Sequence, residues 1–572
     1  MSDSSVFNPA GSAAAARSGG RGVPLSPAQQ AALLPERLRG TPAANLFAAL
    51  EITGVADAEA LGRAAVAALT RHEILRTVYP GDRRIPYQHV ADAPESVLEV
   101  VDLAADQDLA TALLGDAGHR FDLTVDLPVR LRLYRVSART VLSVTLHPIA
   151  ADDRTADLLV AELLASETAS GAAESVRQYR SYALAQLKTL AGNAADDGDS
   201  VYWLERLAGL PERATVVVAD AAPENTAGQG AAPSARRVLR LPAATVTAVT
   251  DGADLEAAAT AVLATVLAEA GLGEDLPVGI VEANRAGEGV ALGAYANYLM
   301  LRVDTASVHT PRELTAAVYE LAVAARTHAG TRIEQLTHRL RGAAAVAEGV
   351  PFQALVSVRD GEVHAGFGVR ELARRIARPH GADIVVDIAS DADGATVTVD
   401  FPAVLAGRAE IDVIASAFEQ RFANWAAAPD DSISTADASV PTLFERMDVA
   451  FPGMTGLGGE PDTDAERLLA DCIREVLDLD SDDPVGRADT FFSLGGDSIA
   501  ALRLVTLLGE RGYILDVQQV FEFPAVREMA AQLVAADPGR QQAAEPAAVA
   551  PMSASGLDAA ALQALAGKFA AR

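Results

Sequence analysis

The sequence predicts a mixed α/β (α+β) architecture over residues 23–440, followed by a small all-α four-helix bundle. Three observations lead there. Helical and strand patterns alternate upstream of residue 440, residues 441–462 repeat Pro and Gly as linkers do, and residues 463–533 carry helical periodicity. At 572 residues the chain is also too long for one core.

The elements follow in order. Residues 1–22 are rich in Ala, Gly and Ser, with Arg17 and Arg21, and lack the apolar stretch of a signal peptide. A disordered lead and a cytoplasmic location are expected. DAEALGRAAVAALTRHEILR reads as one amphipathic helix, with Leu61, Ala65, Ala68, Leu69 and His72 close to one stripe. TVLSVTL before His147, ADIVVDI near Asp387 and ATVTVDF before Pro402 are short β-rich runs with partial alternation. Two lobes, 23–190 and 191–440, are expected, with no close internal repeat. The longest apolar run, Ala257 to Ala268, is shorter than a bilayer span. The linker is placed at 441–462.

The bundle, 463–535, starts with a helix whose Leu468, Leu469, Cys472, Ile473, Val476 and Leu477 share a face, so the lone cysteine reads as core. A second helix begins at Ser498, with Leu502 and Val505 inward, and a last one aligns Val526, Met529, Ala530 and Leu533. The tail, 536–572, is Gln-, Ala- and Pro-rich to Pro551 and reads as disordered. It ends in a capping-box-like Ser555…Asp558 and a Leu562, Leu565, Phe569 stripe, a short helix over 556–570 that is marginal alone and would dock on a partner.

Half the residues are apolar, enough for sizeable cores. A formal net charge of −30 argues against nucleic acid or an anionic membrane as partner, since both require clustered Lys and Arg. One cysteine excludes internal disulfides and cysteine-rich metal sites, and no metal is expected. A monomer is expected.

The most informative stretch is Asp489-Thr490-Phe491-Phe492-Ser493-Leu494-Gly495-Gly496-Asp497-Ser498. It sets a serine on a Gly-Gly-Asp turn, with an apolar anchor behind and a helix ahead. No neighbouring histidine activates Ser498, so it is a poor nucleophile but a good point of attachment, and a helix N-terminus favours a phosphodiester. The run resembles the attachment site of peptidyl carrier proteins. The resemblance implies covalent 4′-phosphopantetheine on Ser498, flanked by Asp497 and Gly496 and installed by a phosphopantetheinyl transferase.

Residues 23–435 resemble the condensation domains of non-ribosomal peptide synthetases. Leu25 to Gln30 looks like their opening motif and Arg71-His72-Glu73-Ile74-Leu75-Arg76-Thr77 their second. Phe121-Asp122-Leu123 with Pro128-Val129-Arg130, Tyr179 to Gln186, Tyr202 to Pro211, Gly279 to Arg285, Gly293 to Asn297 and, loosely, His328 to Glu334 fit later motifs in order. The resemblance implies two chloramphenicol-acetyltransferase-like lobes in a V shape, with a tunnel between them that a donor and an acceptor carrier enter from opposite faces.

That family's active-site motif is His-His-x-x-x-Asp-Gly; here it reads His147-Pro148-Ile149-Ala150-Ala151-Asp152-Asp153. A peptide-bonded proline nitrogen has no basicity and no proton, so the position of the second histidine supplies no acid–base chemistry. A positioned base is worth about 10²–10⁴-fold. Holding two tethered arms end to end contributes effective molarities on the order of 10⁵–10⁸ M, so loss of the base cripples amide formation without abolishing it. His147 is expected to turn into the fold and order the loop, its alternative being a substitute base. Asp152 is expected to pair with Arg285, with Asn297 structural nearby. Asp153 replaces a glycine and would attract an ammonium group if it faced the tunnel.

No stretch resembles an adenylation phosphate loop or a Gly-x-Ser-x-Gly elbow. Loading by an adenylation domain acting in trans is therefore expected, with other synthetase modules or tailoring enzymes downstream, engaged through the tail. The functional expectation is a non-ribosomal peptide synthetase component of secondary metabolite or antibiotic biosynthesis. It carries an aminoacyl or peptidyl thioester beside a condensation-like region that either forms amides or recruits other enzymes.

Overall fold

The computed structural model describes most of residues 23–535. Residues 1–22 and 536–572 lie outside the described residues, as do 166–175, 193–197, 217–234, 340–348, 362–366, 434–439, 446–457, 495–497 and shorter gaps. The expected lead, the tail and its helix, Gly496 and Asp497 all fall there.

The principal strands are β1 (Leu46–Ile52), β2 (Leu98–Asp102), β3 (Val129–Val136), β4 (Arg139–Leu146), β5 (Ala235–Pro242), β6 (Asp275–Glu282), β7 (Asn297–Asp304), β8 (Ala354–Asp360), β9 (Val369–Arg375), β10 (Ile384–Asp391) and β11 (Gly394–Phe401). The principal helices are α1 (Pro27–Arg39), α2 (Ala58–Arg71), α3 (Leu109–Ala117), α4 (Asp153–Ala165), α5 (Tyr179–Gly192), α6 (Gly198–Arg206), α7 (Leu255–Leu267), α8 (Pro311–Thr327), α9 (Glu410–Ala427), α10 (Asp464–Leu477), α11 (Ser498–Glu510) and α12 (Val526–Ala530).

Two mixed sheets organise the larger region. One has the order β9-β1-β4-β3-β2, the other β7-β6-β8-β10-β11-β5. In β4 the alternation decides the faces: Leu142, Val144 and Leu146 enter a core with α2 and α4, while Val141 faces α3 through a smaller cluster. Ser143 points to that second side too, and donates to buried Asp116. The three β-rich runs marked in the sequence are β4, β10 and β11.

Three features differ from expectation. The helix beginning near Asp57 ends at His72 instead of running to Arg76, because the His72 backbone is extended (φ −109°, ψ 97°) and its ring is held at 2.9 Å from Glu162 on α4. A 3₁₀ turn, Glu73–Arg76, follows. Second, the halves are not divided cleanly at residue 190. β9, from the C-terminal half, pairs antiparallel with β1 and so completes the N-terminal sheet. Third, the segment assigned to a linker starts as part of the C-terminal half. Phe444–Glu445 pairs with Thr215–Val216, and Leu443 and Phe444 are fully buried. Arg487 N–H donates to Gly459 O, so residues next to 462 belong to the bundle. Sequence composition gave no sign of the docked ends.

The apolar run near Ala257 extends through an 18-residue helical stretch, Leu255–Leu272, long and apolar enough to cross a bilayer by length and composition. It is 78% buried, and α7 forms the centre of the C-terminal core. The bundle has its own core of Leu469, Cys472, Ile473, Phe491, Leu504, Leu508, Val526 and Met529. The last helix stops at Ala530, short of Leu533.

Gly271 permits the docking of the linker's start. Its φ is +102°, and a Cβ there would lie 2.0 Å from the Phe444 carbonyl oxygen. Gly271→Ala is expected to cost about 2 kcal/mol or more. The loss would appear in thermal melts as a transition of the larger region that moves down while that of the bundle stays in place.

Candidate functional site

The motif loop joins β4 to α4, and its burial is nearly complete. His147, Ile149, Ala150, Ala151 and Asp152 are all buried, while Pro148 is partly exposed. The position of the second histidine is therefore a partly exposed pyrrolidine ring, and Asp153, at the end of the motif, is partly exposed as well.

His147 is turned inward. Its Nδ1 accepts from Ile149 N–H at 3.1 Å, which leaves the proton on Nε2, 3.4 Å from Glu36 Oε1. Phe121 stands edge-on to the ring at 6.0 Å. Burial pushes the Glu36 carboxyl up, but the His147 hydrogen bond, the Ala43 amide and the charges of His147 and Arg120 together bring it below the ordinary value. Glu36 is thus a carboxylate that holds the imidazole in one tautomer, and the ring orders the loop. No sequence pattern marked Glu36.

Asp152 is the hub. Its Oδ1 accepts from Thr155 N–H at 2.7 Å, capping α4, and from Arg285 Nη2 at 2.6 Å; its Oδ2 accepts from the amides of Tyr295 and Ala296, each at 2.9 Å. The expected Asp152–Arg285 pair is therefore present, with both partners almost fully buried. Thr155 Oγ1 donates to Gly293 O and accepts from Gly293 N–H and Arg285 Nη2. Arg332, at 2% exposure, donates to the carbonyls of Tyr295 and Ala296. One short loop is therefore gripped by its N–H groups from Asp152 and by its C=O groups from Arg332. Gly293 is required there, since a Cβ would lie 2.2 Å from the Tyr179 ring. Asn297, fully buried, donates to Ala329 O and Thr331 O and accepts from Ile333 N–H, tying β7 to the next turn. Ser26, in the first motif, bonds Tyr179 Oη at 2.8 Å, and Tyr179 donates to Ala294 O. The scattered motifs thus meet around residues 293–297.

Asp153 behaves differently from the sequence reading. Both carboxylate oxygens accept from Ala377 N–H, at 3.1 and 3.3 Å, just beyond β9. It is a tether between α4 and the crossing segment, not a lure for an ammonium group. Burial above all raises its pKa, Arg374 opposes, Asp387 adds to the rise, the Ala377 amide opposes and Asp152 adds again; the result is about 7.

In the bundle, Ser498 is the first residue of the 13-residue helix α11. Phe491 and Leu494 are buried just before it, and Asp489 Oδ2 accepts from Gly486 N–H at 2.7 Å, closing the preceding turn. Ala501, Leu504 and Leu508 anchor the helix inward.

With this geometry in view, the comparisons are decisive. The Condensation domain family matches residues 21–440. The chain belongs to the condensation-domain family. The Phosphopantetheine attachment site family matches residues 467–533, so the condensation-domain region is followed by one that takes 4′-phosphopantetheine covalently on a serine. The chain is 30% identical over 518 residues, 80% of its length, to a protein of Salinispora arenicola named as a nonribosomal peptide synthetase, CymA. It spans 7% of that relative's length. Among solved structures, the X-domain from teicoplanin biosynthesis is similar at 26% identity and TM-score 0.62, covering 73% of this chain and 97% of that one. A complex of the X-domain and OxyB from teicoplanin biosynthesis is similar at 26% identity and TM-score 0.60, covering 73% and 96%.

The bundle fits the prosthetic group. A serine opening a helix of 13 residues would set a phosphodiester near amides that have no intrahelical acceptor. When bound, the group supplies a flexible thiol that holds an acyl chain as a thioester. The condensation-domain motif, by contrast, has every ionisable side chain committed: His147 to Ile149 and Glu36, Asp152 to the loop, Asp153 to Ala377.

Two predictions follow from these bonds. Asp152→Ala strands Arg285 and three amides and is expected to cost about 3–5 kcal/mol in denaturant unfolding. Asp153 has a folded pKa raised to about 7, from an unfolded value of 3.8. Its contribution is therefore full below the unfolded value and is lost as pH rises through 7. Asp153→Asn keeps an acceptor for Ala377 and should remove that slope, raising stability relative to the parent by on the order of 2 kcal/mol near pH 8.

Proposed function

We propose that the chain carries an aminoacyl or acyl thioester on phosphopantetheine at Ser498, and that its condensation-domain region is a non-catalytic platform recruiting a tailoring enzyme to that cargo. The carrying observation is the partly exposed Pro148 in a motif whose other ionisable groups are all bound within the fold. An amine attacking a thioester must lose a proton, and nothing at the second histidine's position accepts one. The likeness to an X-domain, and to an X-domain in complex with OxyB, supports recruitment as the use of the remaining surface.

Of the three serines in residues 467–533, Ser481, Ser493 and Ser498, only Ser498 follows the Gly-Gly-Asp run in sequence, and it opens a helix. It is assigned as the attachment point. A phosphopantetheinyl transferase installs the arm, a separate adenylation domain loads it, and the pathway is one of secondary metabolism, antibiotics included.

Intact mass after incubation with a phosphopantetheinyl transferase and coenzyme A tests the first part: one arm is expected on the parent chain and none on Ser498→Ala, and retention by that variant overturns the assignment. Loaded donor and acceptor carriers test the second. No amide is expected above the rate of the carriers alone, while a tailoring enzyme of the pathway should bind the loaded chain. Amide formed above that background would favour catalysis, and absence of binding would remove the platform.

A further inference from the structure

The two halves of the condensation-domain region share one run of charge, buried at Arg374 and Asp387 and half-buried at its other members. Arg374, on the crossing strand β9, has a side chain only 3% exposed. Its Nη1 lies 2.7 Å from Asp157 Oδ1 on α4 and 3.5 Å from Glu371 Oε2 on its own strand, and its Nη2 donates to the Asp153 carbonyl at 3.3 Å. Glu371 in turn accepts from Arg359 Nη2 of β8 at 2.7 Å. Arg359 Nε donates to Asp387 Oδ2 of β10 at 3.0 Å. Read in order, Asp157, Arg374, Glu371, Arg359 and Asp387 alternate in sign from α4, through the crossing strand, to the C-terminal sheet.

The backbone is shaped for this. Residues three apart on a regular strand point to opposite faces. The pairing of β9 with β1 shifts register between Glu371 and Ala373, a bulge that inserts one residue and brings Glu371 and Arg374 to the same side. Two more bonds brace the run. Arg236 on β5 grips Asp400 at 2.6 and 2.7 Å while donating to the Arg374 carbonyl at 2.9 Å, and the Asp153 carboxylate accepts from Ala377 N–H.

Alternation makes the burial tolerable, because each inner charge has an opposite neighbour on both sides, and removing one strands the others. The geometry points to this ion chain as a lock. It holds α4, and with it the motif loop, at one position on the C-terminal sheet, so that a partner meets a single preformed surface spanning both halves. The use of that surface by a partner rests on the recruitment reading above; the lock itself does not.

Amide hydrogen exchange of the full chain, read by mass spectrometry, tests it on Glu371→Gln, which keeps shape and an acceptor but removes the linking charge. Exchange is expected to accelerate about tenfold or more in β9, the first turn of α4 and the Ala377 segment, while β3, β4 and the bundle stay unchanged. Arg374→Met should do the same more strongly; if it fails to fold, Arg359→Met carries the comparison. Unchanged exchange in those segments, or acceleration spread evenly over both sheets, overturns the lock. Since no partner enters the measurement, its outcome is separable from that of the binding experiment.

Discussion

The carboxylate of Asp152 is the constraint on which the larger region depends. Four donors converge on it from three parts of the chain: the first turn of α4, Arg285 and the amides of Tyr295 and Ala296. Burying an ion is unfavourable by several kcal/mol unless hydrogen bonds replace its hydration. Here the replacement is complete, and it comes from segments more than 130 residues apart in sequence. The N-terminal half caps a helix with one oxygen of the carboxylate whose other oxygen fastens the 293–297 loop. That loop and the two residues before it then contribute Ala291, Leu292, Ala294 and Tyr295 to the N-terminal core.

This arrangement explains why the motif keeps its aspartate while its second histidine has become proline. Asp152 and His147 serve the fold, so their replacement would leave buried donors without acceptors. The second histidine's position is partly exposed, and a proline there has no side-chain group to bond within the fold. Structural and chemical roles within one heptapeptide are therefore separable by asking which side chains are buried and bonded.

Asp153 shows the same logic in reverse. A glycine there would leave the Ala377 amide without this acceptor, whereas the carboxylate ties α4 to the segment after β9. Burial above all disfavours its charge, with Asp387 and Asp152 adding to the effect, and the tether titrates near neutrality as a result. The carrier bundle has a smaller counterpart: buried Glu466 accepts from the Asp462 amide at 2.7 Å and from Arg487 Nη2 at 3.0 Å. Its core is apolar, with Asp489 turned inward to close the turn before the serine's helix.

Much of the protein was legible in the order of its residues. Period-two runs announced β4, β10 and β11, and helical stripes announced α2 and α10, because burial on one face leaves a periodic trace. The helix-opening serine and the proline in the motif were readable because each acts through local chemistry, a hydroxyl for attachment and the absence of a proton. Tertiary structure alone decided the rest. Glu36 beside His147, the passage of β9 into the N-terminal sheet, the docking of Phe444 and the bonding of Asp153 to Ala377 all join residues distant in sequence. No local pattern encodes such pairings, since a carboxylate or an arginine looks the same in sequence whether it ends in solvent or against a buried partner.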